Sequence, residues 1–485
     1  MKGKITSTQR KALLCLLLSG AIFVCWGSWI AISSFSGMGA FKAVFYGARC
    51  LMQHRDPYNP AVFLDVYQSA GGRLPSDAKD ALFFRRAMLS CVNLPTSLLL
   101  TAPLALLPWK AASLCWMALN AAGLMLAALL VWNVAESHAL KAATILICIL
   151  LCNSELVFAL GNLAGITISL CAIAVWCFFE KRFVLTGVVC LAISLVVKPH
   201  DAGLVWIYFL LAGGVYRKWA LQTAAVAAAL AIPAVLWVSA ASPLWMHELN
   251  LNLAALSAHG SVNDPGPDSL TFHSADHVIS LESTLSLIRD DPRFYNLASY
   301  VICGSLLLAG AIRVLRSRFT KENGWLALAA IAALSMLPVY HRGYDAKLLL
   351  LTVPGCAYLW ARGAGLKWPA GLLTAAALLS TSDIPATILL VMMNGAKIEV
   401  ASVWGKVLTA VVFHPAPLIL LATGIFYLWI YFRRTGQEQR AAVDLSEPDS
   451  GQSDLRQRDL RRPDLRKAGN ATVAANHGAS ALGCC

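Results

Sequence analysis

Long apolar runs follow one another along the chain from residue 12 to residue 432, and they constrain its fold more than any other feature. A helix needs about 20 apolar residues to cross the ~30 Å hydrocarbon core of a bilayer. Runs of this kind favour membrane-spanning helices over barrel strands. With 58% hydrophobic and 13% charged residues, the chain is also too apolar for a soluble globular protein. The sequence therefore predicts an all-α, polytopic membrane protein.

The sequence offers thirteen candidate spans. They are residues 12–34, 89–107, 111–134, 139–158, 162–179, 183–197, 201–215, 218–240, 295–313, 325–340, 345–361, 368–392 and 405–432. The first run is long enough to remain as an anchor instead of a cleaved signal peptide.

Four basic clusters predict cytoplasmic loops under the positive-inside rule. They are Lys181-Arg182, Arg217-Lys218, Arg313 to Lys321 and Arg433-Arg434. Thirteen crossings would place some of these clusters outside the cell. We therefore expect one run between 111 and 179 not to cross, and the first suspect is 139–158, which Asn153, Ser154 and Glu155 interrupt. About twelve transmembrane helices remain, with both termini in the cytoplasm.

We expect one integral membrane domain over residues 1–434, with outer loops at 35–88 and 241–293. The segment 435–485 is polar and poor in aromatic residues, so it predicts a disordered cytoplasmic tail. The formal net charge of +13 does not indicate a nucleic-acid partner, because the basic residues are scattered among short loops. The expected partners are membrane lipids, and the sequence predicts no oligomeric state.

Two short polar junctions between apolar runs are the strongest candidates for chemistry. A charge at a helix end near the membrane is costly unless it is paired or functional. The first junction holds Lys198, a candidate phosphate ligand, with His200 and Asp201 beside it as candidate substrate contacts. The alternative to a phosphate-binding site is an ordinary turn in which the lysine side chain extends to the membrane surface.

The second junction is PVYHRGYDAK, residues 338–347. The guanidinium of Arg342 can donate two hydrogen bonds to phosphate oxygens, and His341 and Asp345 are candidate acid or base groups. Tyr344 is a candidate substrate contact. An ordinary interfacial turn with an aromatic belt is the alternative. With twelve spans, both junctions share the outer face with loops 35–88 and 241–293.

The first outer loop predicts an interfacial amphipathic helix near Phe45 to Arg49, followed by a turn. Asp56 is the candidate general base, since sugar transfer to a hydroxyl needs a carboxylate to take the proton. An Asp before Pro is also a common turn starter. Five further residues are candidates for binding, two basic ones for the donor phosphate and three polar or aromatic ones for the substrate. They are Lys42 and Arg49 for phosphate, and Tyr46, Tyr58 and Asn162 for substrate.

No metal or other cofactor is expected from the sequence. The cysteines show no CxxC pair, and most lie in apolar runs where Cys is a small hydrophobe. The outer loop 241–293 holds four His and several Asp residues, but their spacing fits no metal template.

The chain resembles glycosyltransferase family 87, polytopic enzymes of the GT-C type that include polyprenyl-phosphate-mannose-dependent mannosyltransferases. The matching pieces are FKAVFYGARCLMQHRDPY, NLPTSLLLTAPLALLPW, ALGNLAG, GVVCLAISLVVKP and LPVYHRGYDAKLLLL, within about residues 35–355. The resemblance implies a GT-C fold, an outward-facing active site, a polyprenyl-phosphate sugar as donor and inversion at the anomeric carbon. The family pattern usually has Asp where this chain has Ala40. Asp56 or Asp345 then takes the role of base, or the chain has lost transfer activity.

The leading hypothesis is a bacterial inner-membrane glycosyltransferase that moves a hexose, with mannose a possibility, to a lipid or glycan acceptor outside the cytoplasm. In this hypothesis Lys198, Arg342 and Arg49 hold the donor phosphate. Two other classes remain open. One is a transporter or lipid flippase, against which stands the lack of an internal repeat. The other is a glycolipid-binding protein without catalysis.

Overall fold

The described residues of the computed structural model are 6–33, 37–77, 81, 84–85, 88–274, 276–363, 365–395 and 402–444. Over these residues the regular secondary structure is helical. Val278 and Arg342 form an isolated antiparallel β-bridge. The predicted all-α class is therefore confirmed.

The α-helices of these residues are numbered here in chain order. They are α1 Ser7–Ser33, α2 Gly39–Met52, α3 Pro60–Ser69, α4 Pro95–Ala105, α5 Trp109–Cys152, α6 Glu155–Leu160, α7 Ala164–Glu180, α8 Val184–Val197, α9 Pro199–Ala212, α10 Gly214–Ala241, α11 Trp245–Leu256, α12 Leu281–Ile288, α13 Pro292–Arg316, α14 Lys321–Leu334, α15 Thr352–Arg362, α16 Lys367–Ser380, α17 Asp383–Gly395, α18 Val403–Leu408 and α19 Ala416–Asp444. A 3₁₀ segment Asp345–Leu351 precedes α15, and a π-helical turn Thr409–Phe413 follows α18.

Five helical stretches in the described part of the chain are long and apolar enough to cross a membrane. They are α1, α5 with α6, α10, α13 and α19. The pair α16 and α17, bent by 68°, makes a sixth if it counts as one span. The membrane class is thus confirmed, whereas the predicted number of twelve spans is not. Several predicted runs form shorter helices, such as α4 and α8, because proline and polar junctions divide the apolar sequence.

Helix α5 joins two runs that the sequence separates. Its 44 residues continue through residues 135–138, and the helical geometry breaks only at Ala139, with φ −151° and ψ 76°. At 1.5 Å per residue the helix is about 66 Å long, roughly twice the hydrocarbon thickness of a bilayer. The kink therefore divides it into a segment of 30 residues before Ala139, about 45 Å long, and one of 13 residues after it, about 20 Å long, and only the first has the length of a span.

The four basic clusters lie at one end of the helix bundle. Lys321 pairs with Glu180, beside Lys181-Arg182. The ring of Phe319 packs on Tyr216, which precedes Arg217. Arg313 donates a hydrogen bond to Thr435, beside Arg433-Arg434 (2.6 Å). Because α8 leads away from this end and α9 returns to it, the junction at Lys198 lies at the opposite end.

The remaining architectural predictions concern the outer loop and the tail. The predicted amphipathic helix forms within α2, whose residues are mostly buried. Residues 435–444, predicted as the start of a disordered tail, continue α19 to Asp444. Residues 445–485 lie outside the described part of the chain, as do 34–36 and several positions between 78 and 87.

Candidate functional site

Lys198 lies at the break between α8 and α9 with two carboxylates around its ammonium group. Its backbone is not helical (φ −148°, ψ 80°), as the proline that follows it requires. Its Nζ forms an ion pair with Asp345 and lies 3.4 Å from Oδ2 of Asp201. Both carboxylates are buried. Asp345 also accepts a hydrogen bond from the backbone N–H of Arg342 (2.9 Å). The two junctions predicted from the sequence therefore meet.

His200 and His341 face the same carboxylate. The Nε2 atoms of His341 and His200 lie 3.6 Å and 3.7 Å from Oδ1 of Asp201, and the two ring centroids are 5.1 Å apart. Nδ1 of His341 donates to the carbonyl of Val339 (2.9 Å). Burial lowers the pKa of both imidazoles, so both are neutral near pH 7. Lys198, His200, Asp201, His341 and Asp345 are called the Lys198 cluster below.

Tyr344 and Tyr340 form an aromatic wall beside this cluster. The ring of Tyr344 lies 5.0 Å from Nζ of Lys198, and the hydroxyls of the two tyrosines are 3.2 Å apart. Nζ over an aromatic face gains a cation–π attraction of about 0.5–2 kcal/mol. Tyr344 therefore helps to hold Lys198 in place.

Arg342 points away from the cluster into the large outer loop. Its Nη1 donates to the side chain and the backbone carbonyl of Asp276. Its Nη2 donates to the carbonyl of Val262 (2.7 Å) and to Oδ1 of Asn263 (3.3 Å). Only Nε is left without a hydrogen-bond partner. Because its other donors are taken by protein groups, Arg342 ties the outer loop to the junction, and its phosphate-binding role stays a prediction.

Backbone hydrogen bonds support the same attachment. The N–H of Ile279 donates to the carbonyl of His341 (2.9 Å), and the N–H of Leu281 donates to that of Leu337 (2.9 Å). Burial raises the pKa of Asp276 to about 6, although Arg342 acts in the opposite direction. The outer loop 241–293 is thus fastened to the junction through residues 276–281.

A second buried charge group lies on the far side of the same junction. Nζ of Lys347 donates to the carbonyl of Asn153 (2.5 Å) and lies 3.7 Å from Oδ1 of Asp383. Oδ2 of Asp383 accepts from the backbone N–H of Leu156 (2.7 Å), next to the buried Glu155. This group links the α5–α6 break to the α16–α17 bend, two places where long apolar stretches are interrupted.

The basic residues of α2 are packed against aromatic rings. Arg49 donates to the carbonyls of Ala105 (3.2 Å) and Leu107 (2.9 Å), which satisfies the open end of α4. Its guanidinium lies 4.7 Å from the ring centroid of Phe45. Nζ of Lys42 lies 5.9 Å from the ring of Trp109. The phosphate-binding role of these two residues stays a prediction.

Asp56 pairs with a carboxyl group that the sequence did not single out. Its Oδ1 accepts from the backbone N–H of Tyr58 (2.8 Å), as in an Asx turn, and its carboxylate shares a hydrogen bond with Glu248 of α11. That hydrogen bond, together with burial, raises the pKa of Glu248 to about 7. Asn252 of α11 donates to the carbonyl of Tyr58 (2.9 Å) and holds the two segments together.

Contacts of α4 connect the first outer loop with the Lys198 cluster. The hydroxyl of Tyr58 donates to the carbonyl of Asn93 (2.8 Å), just before α4. In the first turn of α4, Thr96 donates to the carbonyl of Val196, and Ser97 donates to that of Val197 (3.1 Å). The loop and the cluster therefore lie at the same end of the bundle.

Three further positions complete the comparison with the sequence. Tyr46 is buried, with its ring 5.1 Å from Tyr67 and 6.0 Å from Trp109. Oδ1 of Asn162 accepts from the N–H of Ala164 (2.9 Å) at the start of α7. Ala40 lies half-buried in the first turn of α2. The substrate-binding roles of Tyr46, Tyr58 and Asn162 stay predictions.

Two groups in the described residues bring together three side chains of metal-ligand type. The first is His200, Asp201 and His341, within the Lys198 cluster. The second is His259, Asp264 and Asp290 in the outer loop. In the second group Asp264 already accepts from the N–H groups of Gly260 (2.6 Å) and Gly266 (3.0 Å), and the side chain of His259 is 64% exposed. That group serves to shape the loop.

The residues that sequence reasoning missed are partners from distant segments. Glu248 lies in the first turn of α11, and Asp276 is one of several acidic residues in the outer loop 241–293. Asp383 interrupts the apolar run 368–392, and Lys347 lies at the edge of another. Asp383 and Lys347 could have been found from the sequence. A charge inside an apolar run is costly, which indicates that these two residues are paired or functional.

Substitution of Glu248 by glutamine is expected to flatten the pH dependence of stability. Because the pKa of Glu248 is raised from 4.5 to about 7, the folded state holds its proton more tightly than the unfolded state. The stabilising contribution is complete below pH 4.5 and is lost as the pH rises to about 7. Thermal unfolding of both proteins from pH 4.5 to 8 measures it. The midpoint of the wild type should fall relative to that of Glu248→Gln over this range, and parallel profiles would contradict the shared hydrogen bond.

The sequence matches a known protein family. The model of glycosyltransferase family 87 matches residues 92–338, just over half of the chain. The matched region contains Lys198, Asp201, Glu248 and Asp276, and it ends just before His341. No curated protein and no solved structure shows a significant match.

Proposed function

The chain belongs to glycosyltransferase family 87, and from this premise we propose that it transfers a hexose from a polyprenyl-phosphate donor to a lipid or glycan acceptor. The membrane-capable helices make it a membrane glycosyltransferase. A donor whose leaving group is anchored in the bilayer suits an enzyme of this kind. Mannose is the hexose that we propose first.

The observation that carries the donor proposal is the position of the Lys198 cluster at the start of α9. The same helix continues into an apolar cavity of about 230 Å³, lined among others by Leu204, Tyr208 and Leu211. At 1.5 Å per residue, Leu204 and Leu211 lie about 9 and 20 Å along the chain from Lys198. A polyprenyl phosphate has the matching composition, with a charged group at one end and an apolar chain behind it.

The proposed reaction is a single displacement with inversion. The acceptor oxygen attacks the anomeric carbon, and the bond from that carbon to the phosphate oxygen breaks with its electron pair on the phosphate. Lys198, fixed by Asp345 and Tyr344, stabilises the phosphate as negative charge develops. His341 contributes its neutral imidazole to orient the groups.

The acceptor proton goes to a carboxylate, for which Asp56 with its partner Glu248 is our choice. Glu248, with a pKa of about 7, is suited to hold and release a proton beside Asp56 at neutral pH. Asp345 is less suited because both its oxygens already accept hydrogen bonds, from Lys198 and from the N–H of Arg342. The acceptor then lies between the first outer loop and the Lys198 cluster.

We place the reaction at the outer face of a bacterial inner membrane. The basic clusters lie at one end of the bundle, which the positive-inside rule assigns to the cytoplasm. The Lys198 cluster lies at the other end. Both termini then face the cytoplasm.

Transfer by the purified protein in liposomes tests the donor class. We expect label to move from synthetic polyprenyl-phosphate mannose into envelope glycolipid, and no transfer from the corresponding nucleotide sugar. Asp56→Asn should lower the rate by about 10²–10⁴-fold. Transfer from the nucleotide sugar alone would refute the donor assignment, and an unchanged rate for Asp56→Asn would remove it as the base.

A further inference from the structure

Two imidazoles and one carboxylate converge within the Lys198 cluster, and we propose that His200, Asp201 and His341 bind a divalent transition-metal ion of the Zn²⁺ type. Their ligand atoms lie within 4.8 Å of one another. Asp201 and His341 are buried at 2% and 1% exposure, while the side chain of His200 is 37% exposed. The set thus has two fixed ligands and one at an open edge.

The hydrogen bonds of His341 leave a lone pair directed at the proposed ion. Its Nδ1 faces the carbonyl of Val339, which can only accept, so this nitrogen carries the proton. Its Nε2 makes no hydrogen bond with the protein, and neither does Oδ1 of Asp201, 3.6 Å away. Two acceptor atoms that face each other in a buried site repel unless a proton or a metal cation lies between them. A separation of 3.6 Å is too long for an O–H···N hydrogen bond, but it has room for a metal ion. A backbone carbonyl on the second nitrogen is also the usual way in which a metal-binding histidine is oriented.

The distances agree with a shared ion. Two ligands at about 2.1 Å from a tetrahedral Zn²⁺ are about 3.4 Å apart. Oδ1 of Asp201 lies 3.6 Å and 3.7 Å from the two Nε2 atoms. Lys198 approaches the other oxygen of Asp201, Oδ2, at 3.4 Å. The lysine therefore leaves the ligand oxygen free.

The charge balance of the site gives an independent reason. Lys198 faces Asp201 and Asp345, Arg342 faces Asp276, and Lys347 faces Asp383. Within the Lys198 cluster itself one cation, Lys198, lies between two carboxylates, so the cluster carries no positive excess with which to attract a phosphate. A bound divalent ion would make the net charge of the cluster positive. This consequence rests on the proposed function, whereas metal binding itself does not.

The choice of ion follows from the ligands. Imidazole nitrogens favour Zn²⁺ and neighbouring transition metals, while Mg²⁺ and Ca²⁺ prefer sites made of oxygen atoms alone. Three protein ligands leave a coordination position open for a phosphate oxygen, as in catalytic zinc sites.

The test is metal binding by the full chain in nanodiscs, purified without a polyhistidine tag and stripped with a chelator. Titration with Zn²⁺, followed by elemental analysis after gel filtration, should give one equivalent per chain. His200→Ala changes a side chain at the open edge of the site, 37% exposed, and should leave the fold intact, yet weaken binding by at least about tenfold. His341→Ala should abolish it. His259→Ala, in the other group of metal-ligand type, is the matched control and should bind as the wild type does.

Three results would overturn the proposal. The first is no Zn²⁺ above empty nanodiscs, and the second is wild-type binding by both His200→Ala and His341→Ala. The third is loss of the ion in His259→Ala, which would move the site to the outer loop. Since no sugar donor is present, this outcome is independent of the transfer assay. A protein that binds Zn²⁺ but uses another donor would refute the proposed function alone.

Discussion

Replacement of Lys198 by alanine is expected to lower sugar transfer by about 10²–10³-fold, the usual effect of removing one group that stabilises developing charge. Lys198 is the cation nearest to the proposed phosphate position, and Asp345 and Tyr344 fix its ammonium group. The same change leaves Asp201 and Asp345 buried without their cation. It should therefore also cost about 3–5 kcal/mol of stability.

A second variant separates catalysis from folding. In Lys198→Ala with Asp345→Asn, one of the uncompensated charges is removed, so thermal stability should recover in part while transfer stays low. Lys110→Ala provides the matched control, since Lys110 is an exposed lysine at the start of another helix. Transfer rates and unfolding midpoints of all three proteins are measured in the same liposomes or detergent. Recovery of transfer in the double variant would show that Lys198 acts only through folding.

The sequence predicts the helical class and the two junctions for the same physical reason. A charge beside an apolar run is expensive, so Lys198 and the segment 338–347 stand out without any structure. The number of spans does not follow in this way. Helix α14 and the 3₁₀ segment 345–351 are buried almost throughout. Hydropathy alone does not distinguish a helix buried in protein from one that faces lipid.

Partners across the site were beyond the reach of local patterns. His341 lies far along the chain from Asp201, and their meeting depends on how α9 packs against α14 and the junction that follows it. Arg342 illustrates the limit most clearly. Its place in a polar turn predicts that it binds phosphate. Its hydrogen-bond partners Asp276, Val262 and Asn263, however, lie in the outer loop. The sequence does not give the direction of a side chain, so it could not predict these partners, and the phosphate-binding role of Arg342 stays a prediction.

Arg342→Ala is accordingly expected to destabilise the protein by about 3–5 kcal/mol, because it leaves the carboxylate of Asp276 and two loop acceptors without their donors. Arg342→Lys should restore little, since one ammonium group cannot serve acceptors that the two ends of a guanidinium reach. Unfolding midpoints and protease cleavage in residues 257–280 measure the effect. Cleavage should increase markedly because the loop loses its attachment.

The control and the double variant decide whether Arg342 holds the loop or binds the donor. Arg289→Ala removes an exposed pair with Asp291 in the same loop and should cost no more than about 1 kcal/mol. Arg342→Met with Asp276→Asn removes both charges of the buried pair and should recover stability relative to Arg342→Ala. If Arg342→Ala proves as stable as Arg289→Ala but loses transfer, its guanidinium acts on the phosphate. If stability and transfer recover together in the double variant, Arg342 acts by fastening the outer loop over the site.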